Sequence, residues 1–198
     1  MKLYFGYLMV GLFMFSSLQN PSLAACSIEQ MTVEQAMEWQ DNHHSDKEKR
    51  ECSFDFFKRK KTEIENDPYI GTYYAIGLAL KARYSNKRED RIYWSKLSEQ
   101  ELSRIIHKFP DFMFARVSRA VSYSQSPPFL ELDKKAIHEF EYALMHLQLP
   151  FSTPDIAAIR LIDKFMPPVL ERAPVEEKKN TLLMAKVKQL AVQAKIEK

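Results

Sequence analysis

His43 and His44 stand side by side a short way before Cys52, a set of nitrogen and sulfur donors with which a chain could hold a metal. Adjacent histidines in a polar turn point in different directions, however, and Cys52 has another partner in Cys26. His138 and His146 are too far apart to act as a helical pair, and neither has an acidic residue at zinc-protease spacing. No metal or other cofactor is therefore expected. The chain contains no G-x-S-x-G, no glycine-rich phosphate loop and no C-x-x-C. Serine, histidine and acidic residues are present, but no local arrangement activates a nucleophile. A non-catalytic role is expected. An envelope hydrolase, its site assembled from distant segments, is the enzymatic alternative.

The two cysteines carry more information. Residues 1–25 combine Lys2, an apolar run from Leu3 to Phe15, the breaker Pro21 and small residues at Ser22 and Ala24. That order is the pattern of a secretory signal peptide, and the run is short for a membrane-spanning helix, which needs about 20 apolar residues. Cleavage after Ala24 fits an ordinary signal-peptidase site. Leu23-Ala24-Ala25-Cys26 also resembles a bacterial lipobox, which would put a lipid on Cys26 and make the protein an outer-membrane lipoprotein. In an oxidising compartment the even pair Cys26 and Cys52 favours a disulfide instead, closing a loop worth roughly 2–4 kcal/mol. Membrane association is expected only if Cys26 is lipidated.

The chain has 198 residues, a net charge of +3, 45% hydrophobic and 12% aromatic residues, and only four glycines. This composition suits one globular domain over 26–198 and excludes wholesale disorder. Scarce glycine and the lack of alternating β-branched runs argue for helices. Lys58-Arg59-Lys60-Lys61 and the lysine-rich C-terminal segment are interleaved with or flanked by acidic residues. A solvated face is expected there rather than a nucleic-acid site.

Helix signals run the length of the chain. Thr32 with Gln35, Ser45 with Glu48 and Ser98 with Glu101 have the spacing of capping boxes. The second would open a helix through about Glu65 that carries Cys52. Asp67-Pro68 opens a helix through Tyr84, in which Gly77 implies a closely pressed neighbour. Leu102, Ile105, Ile106 and Phe109 form a stripe ended by Pro110. Thr153-Pro154-Asp155 starts another helix, which Met166-Pro167-Pro168 is expected to stop, and 175–198 forms the last.

Pro68, Pro110 and Pro150 recur about 40 residues apart, a period of helix-pair arrays. Within 112–150, Ala120 and Tyr123 occupy small and aromatic positions of one helix; Ala136, Phe140 and Ala143 occupy one face of a second; Pro150 closes the unit. This stretch resembles a tetratricopeptide repeat. It departs from that pattern by an inserted Ser-Pro-Pro turn and two extra residues before Pro150. The resemblance implies an all-α fold of antiparallel helix pairs in a right-handed array, packed through Ala120, Tyr123, Ala136, Phe140 and Ala143. It also implies a protein or peptide partner held in a groove, with Tyr73, Tyr74, Trp94 and Tyr142 as the aromatic anchors. The alternative is a periplasmic immunity or inhibitor protein that neutralises a toxic enzyme. Nothing in the sequence specifies the oligomeric state.

Overall fold

The structure, a computed structural model, describes residues 26–126, 130–173 and 177–196. Among them the fold is all-α: after a short 3-10 turn at Ile28–Gln30 come α1 (Val33–Asn42), α2 (Lys47–Arg59), α3 (Lys61–Asn66), α4 (Pro68–Tyr84) and α5 (Arg88–Lys108). There follow α6 (Met113–Ser124), α7 (Asp133–His146), α8 (Thr153–Arg172) and α9 (Glu177–Ile196). The leader and most of the Ser-Pro-Pro turn lie outside the described residues.

Several helix starts follow from side chains that accept the orphan N–H groups of a first turn. Thr32 Oγ1 accepts from the Gln35 N–H at 3.1 Å. Asp67 Oδ1 accepts from the N–H groups of Tyr69 and Ile70, ahead of Pro68 in the first turn of α4. Ser152 and Asp155 cap one another's backbone in a full capping box at the head of α8.

Consecutive helices pack as antiparallel pairs. Ser98 and Arg104 of α5 reach back along α4 to the carbonyls of Ala75 and, beyond its start, Ile64. On α6 and α7, Arg119 meets Glu139 while Lys135 lies over the Tyr123 ring. The first members of successive pairs also touch, α4 on α6 and α6 on α8. Ala120, Ala136, Phe140 and Ala143 are fully buried at these seams, within an apolar cluster that runs from α1 through α9. A smaller cluster, Ala75, Leu102, Ile105, Ile106 and Ala115, fastens α5 to α4 and α6.

Close approach at α4 depends on its glycines. A Cβ on Gly77 would lie 2.9 Å from the Phe54 ring and 3.0 Å from Gln40 Nε2, and one on Gly71 only 2.9 Å from the backbone oxygen of Ile64. Cys26 and Cys52 form a disulfide with their Cα atoms 6.0 Å apart, tying the described N-terminus to α2.

Four boundaries differ from the sequence expectation. The cap of α2 is Asp46, whose carboxylate accepts from the Lys49 N–H, and not Ser45. The helix expected to run through Glu65 breaks at Lys60, where the chain leaves helical geometry and restarts as α3. Ser98 does not begin a helix. It sits buried inside the 21-residue α5, and its hydroxyl donates to the Ala75 carbonyl at 2.8 Å, so a contact to another helix occupies the supposed cap. Finally, α8 continues through Pro167 and Pro168 to Arg172. Each proline deprives a carbonyl four residues earlier of its donor. Those residues, Asp163 and Lys164, are exposed to water, whereas Met166, Val169 and Leu170 are buried and keep the helix on the core.

Candidate functional site: a polar groove floored by α6

Because α5 is fastened through its own small cluster, it flanks α6 without packing along α7. The outward strip of α6, Arg116, Arg119 and Tyr123, therefore forms the floor of a groove whose walls are α5 and α7. All three residues are half-buried. An open depression of about 370 Å³, lined by Lys96, Glu99, Gln100 and Ser103, lies along the α5 wall.

Each floor residue reaches a wall. Arg119 donates to Ser103 Oγ at 3.0 Å and to Glu139 on α7. Arg116 donates to the other Glu139 oxygen at 3.3 Å and stacks its guanidinium 3.9 Å from the centre of the Tyr142 ring. Tyr142 is sandwiched, with His146 parallel to its second face at 4.0 Å. The Tyr123 hydroxyl donates to Glu99 at 2.8 Å. Burial together with that carboxylate raises the Tyr123 pKa to about 12, so the phenol stays a donor at physiological pH.

The electrostatics are unbalanced. Glu139, only 8% exposed, is one carboxylate shared by two guanidiniums. The Nε atoms of both arginines are buried and have no hydrogen-bond acceptor among the described residues. A buried cation short of acceptors is costly. Chemically the groove offers guanidinium, ammonium, hydroxyl and amide groups plus aromatic faces.

The four tyrosine and tryptophan anchors expected from the sequence go to three places. Tyr142 lies in the groove. Tyr74 and Trp94 meet instead around Phe54, stacked at 5.7 Å and edge-on at 6.4 Å, with Lys81 over both Phe54 and Trp94 and the exposed Tyr93 alongside. Tyr73 is 2% exposed, so its ring is an interior residue and has no surface to offer a partner. Its hydroxyl donates to Asp41 Oδ2 at 2.9 Å. Burial lifts the Asp41 carboxyl above the usual aspartate range, against the opposing pull of that hydrogen bond and of Arg160. Tyr123, expected as a helix-packing residue, packs against the core cluster and also turns its hydroxyl toward the groove. Arg116, Arg119 and Glu139 were not singled out by sequence; their only local sign is the three-residue spacing that stacks the two arginines on one helical strip.

The histidines and cysteine weighed as metal donors do not converge. His44 Nδ1 pairs with the Tyr84 hydroxyl at 2.9 Å, Cys52 is in the disulfide, and no metal-holding group of His, Cys, Asp or Glu occurs among the described residues. In the basic run, Arg59 and Lys60 pair with Glu29 and Glu63 at the surface. No helix among the described residues is long and apolar enough to cross a membrane. No family model matches the chain, and neither a curated protein nor a solved structure shows significant similarity to it.

Proposed function

We propose that the chain is an exported, non-catalytic protein-binding module of the bacterial cell envelope that holds a segment of a partner protein in the α5–α6–α7 groove. The leader pattern and the Cys26–Cys52 disulfide support export. The observation that carries the binding role is the open strip of α6: half-buried Arg116, Arg119 and Tyr123 between two helices that do not close over them. Arginine and tyrosine are the residue types that dominate binding energy at protein interfaces. On this account the helix pairs are a rigid support, in the manner that the tetratricopeptide resemblance implies, and the partner adds its own surface to the groove.

The test is retention of a partner from envelope extracts on the immobilised mature protein, with and without Tyr142→Ala combined with Gln100→Ala. Gln100 is exposed and Tyr142 only half-buried, so neither is a fully buried core residue. Reduced retention with unchanged thermal unfolding is the expected result. Undiminished retention would remove the groove from the account.

A further inference from the structure

The groove's charge specifies its occupant. Lys96, Arg116, Arg119 and Lys135 face it against two carboxylates, Glu99 and Glu139. Glu99 is exposed and engaged by Tyr123, which leaves Glu139 as the sole buried counter-charge for two arginines among the described residues. Both buried Nε–H groups lack an acceptor among the described residues. We propose that the groove takes an acidic, extended peptide segment of the partner, whose Asp or Glu carboxylates supply the missing negative charge beside Arg116 and Arg119. The inference rests on the binding role above and adds the chemical class of the ligand.

Three features favour a peptide carboxylate over other anions. The arginines already hold one carboxylate, each giving a single N–H to a different oxygen of Glu139, so their donors are arranged for a carboxylate. The positive floor is recessed between helices, where a flat lipid surface does not reach. Beside it, the Gln100 amide and Ser103 hydroxyl on the α5 wall suit peptide backbone groups, and Tyr142 gives an aromatic flank. Lys96 and Lys135 are exposed at the rim, where they steer an acidic segment and make its binding salt-sensitive.

Fluorescence anisotropy with a labelled Glu/Ser decapeptide and its Gln/Ser counterpart tests this on the mature, oxidised protein. The Glu peptide is expected to bind, the Gln peptide not, and binding is expected to weaken with added salt. Lys96→Glu with Lys135→Glu should weaken it about tenfold or more, whereas Lys164→Glu on α8 should leave it within about twofold. Equal binding of the two peptides, no binding of either, or equal losses in the rim and α8 variants would overturn the acidic-ligand proposal. Phosphatidylglycerol vesicles bound more tightly than the Glu peptide, with loss in the rim variant, would also overturn it in favour of a lipid. None of these results touches the retention assay with Tyr142→Ala and Gln100→Ala, so the two claims fail separately.

Discussion

Single side chains here carry costs that the surrounding packing overrides. Gln40 on α1 is 2% exposed, and neither its amide nitrogen nor its oxygen has a hydrogen-bond partner among the described residues. It packs beside Gly77. An unpaired buried amide costs about 1–3 kcal/mol. Gln40→Met, which keeps the unbranched shape, is expected to raise stability by about 1 kcal/mol in urea titrations. Asp41 makes a second case. The residue as a whole is exposed, but desolvation around its carboxyl raises its pKa, so the folded chain holds this proton more tightly than the unfolded one. The stability it contributes is complete below the ordinary aspartate value of about 3.9 and is lost as pH rises through the higher folded value. Asp41→Asn retains an acceptor for the Tyr73 hydroxyl and does not titrate. The variant is therefore expected to be more stable than the parent at neutral pH, with the difference shrinking on acidification. Urea titrations at several pH values measure both.

Among elements, α4 is the most constrained. Alanine is a better helix former than glycine by about 1 kcal/mol. At Gly71 this gain is opposed by backbone, because the new methyl would meet the Ile64 carbonyl oxygen at 2.9 Å. Gly71→Ala is expected to lower stability by about 1–3 kcal/mol. Gly77→Ala should cost less, since the Phe54 ring and the Gln40 side chain can shift. Thermal or urea unfolding ranks the two. The need for a neighbour close to Gly77 was legible in the sequence, as were the cap at Thr32, the helix start at Pro68 and the buried alanines at 120, 136 and 143. These are signals written in local spacing. Ser98 shows what local spacing omits: Ser-x-x-Glu also occurs inside helices, and only the Ala75 carbonyl on another helix decides its role. The same holds for Pro167 and Pro168, where burial of the neighbours outweighs two lost hydrogen bonds. Tyr73 and Tyr74 are adjacent, and the rotation of α4 alone makes one interior and the other half-exposed. The Arg116–Glu139–Arg119 cluster was invisible because its members come together only when α6 packs on α7.

For the whole molecule, the Cys26–Cys52 link closes a separation of 26 residues. In the loop-entropy description such a closure contributes about 3.5 kcal/mol. Cys26→Ser with Cys52→Ala is expected to lower unfolding stability by up to that amount, read from urea curves of oxidised parent and variant. The groove lies on helices that do not include α2, so the stapled N-terminus and the binding face are separate parts of one support. The central claim is that a partner protein sits over the outward strip of α6. Site-specific photo-crosslinking in envelope-bearing cells tests it most directly, with the reactive residue placed at Gln100 on α5, at His138 on α7, or at exposed Glu48 on α2. The account predicts a crosslinked partner from Gln100 and His138 and none from Glu48; crosslinks from Glu48 alone, or from none of the three positions, would contradict it.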